Sequence, residues 1–313
     1  MTLAPIILFC YNRPWHVEQT LIALSKNELA DQSVLYIYCD GPKENATEEQ
    51  INNIKLTREV VRKKKWCKEV YIVESDKNKG LANSIIAGVT EIVNKYGKII
   101  VLEDDMITSP YFLEYMNDSL EIYKEDHQVM HVTGFMFPID KKVPDTFFYQ
   151  VPHCWSWGTW SRSWKYFSND INELYSYWSK DWKKFNKWGW TDLQEQLEKN
   201  YNGTLYTWFI KWHAVVLRMN GLTLYPHKSL VFNIGNDGTG ENCTSTNKYN
   251  VDILEDKLSV CKNPIVEDSK IASYIKTWNS GRWFSRRYRI RLINKFKSFF
   301  KHICFLNTTY KKY

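Results

Sequence analysis

Between residues 5 and 134 the chain alternates short apolar runs with longer segments of helical periodicity, and this alternation narrows the possible folds more than any other feature. The runs are PIILFC (5–10), VLYIYCD (34–40), EVYIVES (69–75), KIIVLEDD (98–105) and VMHVTG (129–134). Helices are predicted between them. One opens at Asn12-Arg13-Pro14, because proline is favoured at the first helical position. A second spans about Thr47 to Lys65, acidic in its first turn and basic in its last, as the helix dipole prefers. A third, LANSIIAGVTEIVNKYG (81–97), ends on a glycine. A fourth, over 109–126, is expected to take Ser109 as its cap and Pro110 as its first residue. The pattern predicts an α/β fold with a mostly parallel sheet flanked by helices on both faces. In such sheets ligands bind beyond the carboxyl ends of the strands.

Several polar groups fall at those ends. Tyr11, Asn12 and Arg13 follow the first run, Asp40 follows the second, and Glu103, Asp104 and Asp105 close the fourth. Three adjacent carboxylates at the mouth of a buried strand repel one another and resist desolvation. A hard divalent cation, Mn²⁺ or Mg²⁺, resolves that conflict, since such ions bind through one or two carboxylates completed by phosphate oxygens. The plain alternative is that the acids cap the next helix or line a turn. Arg13 alone reads equally as a surface arginine, and Asp40-Gly41-Pro42 as turn chemistry.

From about Pro138 the alternation stops and tryptophan crowds residues 152–190. The chain has 14 Trp and 16% aromatic residues. Such rings either stack on the apolar faces of sugars or fill a core. The net charge of +7 is a property of the end of the chain: residues 281–313 hold ten Lys or Arg and no Asp or Glu. A slightly acidic body argues against a nucleic-acid-binding core. The seven cysteines form no CxxC pair, which points to a reduced, cytoplasmic protein without a zinc site. The first apolar stretch has no basic region before it and is too short for a signal peptide.

APIILFCYNRP, CDGP, NKGLANSIIAG, VLEDDMITSPYFLEYM and CWSWGTWSRSW, taken together and in order, resemble nucleotide-sugar-dependent glycosyltransferases of the GT-A fold. The resemblance is to bacterial polysaccharide glycosyltransferases related to N-acetylglucosaminyltransferase I, and runs from about Ala4 to Cys243. It implies a metal-dependent transferase with a UDP-sugar donor. It implies Asp105 as the metal ligand, Asp104 as the ribose contact and Glu103 facing the donor sugar. Arg13 and Asp40 would hold the nucleobase, Tyr11 and Asn12 would belong to the nucleotide-sugar-binding set, and the NKGLA loop, through Lys79 and Gly80, would meet phosphate at a helix N-terminus. Trp155, Trp157 and Trp160 fall on the acceptor side. YPHKSLVFNIGNDGTGENC (225–243) matches the last strand and a loop that folds over the donor, given hinge freedom by Gly235, Gly238 and Gly240; His227 falls at its start.

The resemblance fails at the catalytic base. The family's Asp is expected in a stretch that here reads LYTWFIKW (205–212), with Tyr206 in its place. Asp237 and Asp192 are the substitutes offered by the sequence. The domain reading is residues 1–245 as the transferase unit, with a nucleotide-sugar half (1–135) and an acceptor half (136–245). A connector (246–280) and a basic amphipathic tail (281–313) follow. The tail reads as a helix on an anionic membrane surface or as one docked on protein. The expected role is transfer to a glycan or lipid-linked oligosaccharide acceptor in O-antigen, capsule or lipooligosaccharide synthesis, peripheral on the inner face of the cytoplasmic membrane. Two alternatives stay open: an inactive carbohydrate-binding or assembly protein on the same fold, and a sugar nucleotidyltransferase.

Overall fold

The computed structural model describes residues 2–240, 246 and 248–281. Its strands are β1 (Ile6–Cys10), β2 (Val34–Cys39), β3 (Glu69–Glu74), β4 (Lys98–Glu103), β5 (Met106–Thr108), β6 (Val129–Thr133), β7 (Thr146–Tyr149), β8 (Trp157–Trp160), β9 (Leu222–Pro226) and β10 (Val231–Asn233). Its helices are α1 (Pro14–Ser25), α2 (Glu48–Arg62), α3 (Leu81–Tyr96), α4 (Phe112–Ile122), α5 (Ser161–Trp164), α6 (Ile171–Trp178), α7 (Trp182–Phe185), α8 (Thr191–Tyr201), α9 (Phe209–Arg218) and α10 (Ser269–Asn279).

Eight strands form one sheet in the order β3-β2-β1-β4-β8-β6-β9-β7. β3, β2, β1 and β4 run parallel, β8 is antiparallel to both neighbours, β6 and β9 pair parallel, and β7 closes the edge antiparallel to β9. The expected mainly parallel α/β sheet is therefore present. β1 is buried along its whole length, which is why it reads as an unbroken apolar run rather than an alternating one. β3 is the open edge, and Tyr71 and Val73 on it are exposed. β5 and β10 make a separate antiparallel ribbon, Met106 opposite Asn233.

Local chemistry explains most element ends. Thr47 caps α2 in a capping box with Gln50, each side chain serving the other's backbone N–H. The fourth helix starts later than the sequence indicates. Ser109 donates its N–H to the Leu230 carbonyl (2.7 Å) as the β5–β10 ribbon continues, so α4 begins at Phe112 and Ser109 is not its cap. Residues 246–280, expected as a connector, carry a packed helix. Asp268 caps α10, and Ile271, Ala272, Ile275 and Trp278 are buried on one face, the spacing of an amphipathic helix. Just before it, Glu267 bridges in parallel to Phe148 of β7. The basic tail from 282 lies outside the described residues. No helix among the described residues is long and apolar enough to cross a membrane.

Candidate functional site

The ends of β1, β2 and β4 open on a cavity of about 240 Å³. Tyr11, Asn12, Arg13, Asp40, Lys79, Gly80, Glu103, Asp104 and Asp105, far apart in sequence, all line it, with Thr239 and Gly240 from the loop after β10. Topology does this: parallel neighbours β2-β1-β4 place their carboxyl ends on one rim.

The acids sit on a pinned turn. Thr20 of α1 donates its hydroxyl to the Asp104 carbonyl (2.8 Å) and accepts the Met106 N–H (3.0 Å), tying the turn between β4 and β5 to the helix. Arg13 supplies a counter-charge to two of the acids. Its Nη2 donates to Asp104 Oδ1 and to Asp105 Oδ2, the latter at 2.8 Å. Burial opposes charge on Arg13, but the two carboxylates outweigh it and hold the guanidinium cationic well above its ordinary range. Burial also pushes Asp104 up, against the pull of Arg13, to about 6. Glu103, half-buried, is pushed up to about 8 by desolvation and by the neighbouring Asp105 and Asp104.

Arg13 and Asp40, both on the rim, are held by separate partners. Arg13 is taken by the acids and does not pair with Asp40. Asp40 instead accepts the backbone N–H groups of Gly41 (2.8 Å), Lys79 (2.9 Å) and Gly80 (3.0 Å), with the Asn78 amide at 3.1 Å. The Lys79 and Gly80 N–H groups of the NKGLA loop thus have Asp40 as their acceptor in this structure, and both residues line the cavity. Gly80 takes φ +78° there, a left-handed turn that lets both N–H groups reach one carboxylate.

Three buried polar atoms on cavity-lining residues have no partner: Tyr11 OH, Arg13 Nη1 and Asp105 Oδ1. Buried polar groups are normally satisfied, so three at one cavity mark a place for a polar ligand. Asp105 Oδ1 is also the kind of acceptor that a hard cation satisfies. Among the described residues no cluster of three His, Cys, Asp or Glu side chains could hold a metal alone. A cation here would therefore need phosphate or water oxygens besides Asp105, which is how Mg²⁺-type ions commonly bind.

The β5–β10 ribbon carries the loop straight to the acids: Ile234 N–H donates to the Asp105 carbonyl (2.9 Å). At Gly235 an added Cβ would lie 2.1 Å from Asp105 Oδ2 and 3.0 Å from Arg13 Nη1, so this position must lack a side chain. Further along, Asp237 accepts from Thr239 N–H (2.9 Å), Thr239 hydroxyl (2.7 Å) and His16 Nε2 (3.0 Å). The Thr239 and His16 bonds hold its carboxyl down at about 2, which makes it a weak proton acceptor. Asp192 is elsewhere, in the first turn of α8. Burial raises it, with Lys248 opposing, and it is not among the residues lining the cavity.

The tryptophans expected on the acceptor side divide. Trp157 and Trp160 are core: Trp157 stacks on His131 (5.2 Å) and Trp208 (5.0 Å), and Trp160 Nε1 donates to the Leu120 carbonyl. Neither presents a ring to a ligand. Trp155 is half-buried, edge-on to Tyr249 at 5.3 Å. His227 faces Asp145 at 3.8 Å, outside the cavity lining. Sequence reasoning did not find the orphaned Tyr11 hydroxyl, the Thr20 anchor or the His16 contact to the loop. Thr20 and His16 lie on the helix that Pro14 begins, and only the fold brings them to the acids.

No protein-family model matches the chain, and no curated protein matches it. Solved structures do. S. aureus TarS residues 1–349 matches at 9% identity and TM-score 0.38, over 74% of this chain and 60% of that one. Galactosyltransferase LgtC, solved with donor and acceptor sugar analogs, matches at 9% identity and TM-score 0.35, over 71% and 72%. Mouse xyloside xylosyltransferase 1 matches at 10% identity and TM-score 0.28, over 42% and 53%. The chain spans 23% of the longer TarS structure. With TM-scores below 0.5, these likenesses do not carry the functional reading; the cavity does.

Proposed function

We propose that the chain is a glycosyltransferase that takes a sugar from a nucleoside diphosphate donor, a UDP-sugar by the sequence resemblance, and passes it to a glycan acceptor. The observation that carries this reading is the cavity at the strand ends, where Tyr11 OH, Arg13 Nη1 and Asp105 Oδ1 are buried without partners. Arg13 supplies fixed positive charge beside the position for a diphosphate. Tyr11 and Asn12 line the β1 end, and Lys79 lines the wall toward α3. Glu103, raised by burial and by the neighbouring acids, lines the cavity where the resemblance puts the donor sugar. The loop from Gly235 covers the acids and excludes water. A Mn²⁺ or Mg²⁺ held by Asp105 Oδ1 would add positive charge against the departing diphosphate. Of the two base candidates, Asp237 is held down by its Thr239 and His16 bonds and Asp192 does not line the cavity, so neither is assigned as the base. The basic composition of residues 282–313 supports a membrane-surface tail, and with it a lipid-linked acceptor in surface polysaccharide synthesis at the inner face of the cytoplasmic membrane.

Thermal shift with UDP, GDP and dTDP, each with and without Mn²⁺, tests the donor site, because a ligand bound only by the folded state raises Tm. Donor hydrolysis with a panel of nucleotide sugars tests the chemistry. The reading is abandoned if no nucleotide raises Tm, or if Arg13→Met leaves nucleotide affinity unchanged.

A further inference from the structure

Lys211 is a buried cation that nothing among the described residues neutralises. It lies on α9 in the otherwise apolar run FIKWHAVVL and is 1% exposed. Its Nζ donates to Asn169 Oδ1 at 2.6 Å and sits 3.9 Å from the centre of the Tyr206 ring. No carboxylate is within ion-pair reach among the described residues, and burial lowers its amine to about 8. An ammonium has three donors, and one is used here. A buried charge without a counter-ion is costly, and a ring face and one amide oxygen offset only part of that cost.

The cover over Lys211 is thin. Tyr206 is 49% exposed, and its hydroxyl donates to Asn83 Oδ1 at 3.0 Å and lies 3.4 Å from both side-chain polar atoms of Asn169. Both asparagines are exposed. Asn83 stands in the first turn of α3 and donates to the Lys79 carbonyl (2.9 Å), beside the cavity-lining residues Lys79, Gly80 and Ser84. The nearby acids are committed elsewhere. Asp170 caps α6 through the N–H groups of Asn172 and Glu173, and Glu173 pairs with Arg218. The result is a surface ring of two amides and a phenol over an unpaired ammonium, adjoining the donor cavity.

We propose that Asn83, Asn169, Tyr206 and Lys211 form an acceptor subsite, and that Lys211 receives a carboxylate or phosphate carried by the acceptor sugar. This rests on the glycosyltransferase reading above. The amides and hydroxyl match sugar hydroxyls, the exposed ring matches an apolar sugar face, and the ammonium selects for charge.

The test measures Kd for methyl glucuronide, glucose 6-phosphate and neutral methyl glucoside on the full chain and on Lys211→Met. The nucleotide diphosphate that most raises Tm serves as a control. Wild type is expected to bind one of the acids at least about tenfold more tightly than the neutral glycoside, and Lys211→Met to erase that margin. Glucoside and nucleotide affinity should stay unchanged, and Tm unchanged or raised. Whichever acid shows the margin identifies the anionic group. Equal affinity for acid and neutral sugars in wild type, or binding of neither, overturns the subsite. So does a margin that survives Lys211→Met, or a tenfold loss of nucleotide affinity in it, which would assign Lys211 to the donor. Tyr206→Phe keeps the ring and should weaken all three sugars alike; selective loss of the acid would overturn the role given to Lys211. A wild-type chain that binds no nucleotide sinks the glycosyltransferase reading. Intact nucleotide binding without an acid margin sinks the subsite alone.

Discussion

Arg13 and Lys211 are both cations taken out of water, and the chain treats them in opposite ways. Arg13 is given two carboxylates, and the fold places all three charges within hydrogen-bond distance at the end of β4. Lys211 is given an amide oxygen and an aromatic ring. The first arrangement is a closed set of charges whose members depend on one another. The second holds an unspent charge near the surface. A third solution appears in the aromatic half, where buried His131 and His213 and half-buried His153 are each lowered to about 3 by desolvation. His131 accepts the Trp212 indole N–H (3.1 Å) at Nδ1, so its proton is on Nε2, directed at the His153 carbonyl (2.9 Å).

The largest expected effect separates the two cations. Arg13→Met strands Asp104 and Asp105 as buried, unpaired acids and should cost about 3–5 kcal/mol in urea unfolding, whereas Lys211→Met should leave stability unchanged or raised. Equal losses in both would erase the distinction. Next comes Gly235→Ala, whose new methyl meets the Asp105–Arg13 pair. It should cost about 1–3 kcal/mol by overpacking and lower nucleotide affinity, checked by unfolding and by titration of nucleotide. The third effect is acid sensitivity. The three histidines have folded pKa values below their unfolded ones, so the unfolded state binds more protons between about pH 6.5 and 3. Their contribution is complete above that window and is lost as pH falls through it. Tm followed from pH 7 to 4 should decline, and less steeply in His131→Gln relative to its own value at pH 7. The smallest effect has the opposite sign. The Lys211 amine is also lowered, so wild-type stability should gain from about pH 8 towards 10 relative to Lys211→Met, because only the unfolded chain keeps that proton there. Parallel curves for the two proteins would mean that Lys211 is better solvated than its burial indicates.

Much of the first half was legible because its signals are local. The β1–β4 runs, the Thr47–Gln50 cap and the closing Gly97 are each decided within a few residues. The polar rim followed from topology, since parallel strands bring their carboxyl ends together. What was not legible depended on contacts across the fold. Strands of three residues such as β5 and β10 have no periodicity to read, yet their pairing sets the loop against Asp105 and delays α4. A tryptophan read in sequence does not declare whether it stacks on His131 or on a sugar, and Trp157 does the former. Asp40 read either as turn chemistry with Gly41 and Pro42 or as a donor contact. Its three backbone contacts depend on where α3 begins. Lys211 did leave a trace, a single charge inside an apolar helical run, but that no acid pairs with it among the described residues is a fact of packing.

The two margins of the large sheet are finished differently, with a consequence for how the molecule behaves at high concentration. At β7 the chain lays its own backbone alongside, through Glu267, so that side offers little to a neighbour. At β3 no described residue pairs with the outer backbone row, which is bracketed by Glu69 and Glu74. A second copy docking there in antiparallel register would bring like charges face to face, a guard commonly found on exposed strands. Neutralising both acids should therefore turn a well-behaved solution into one that self-associates, with the tyrosine at position 71 among the first residues to become shielded.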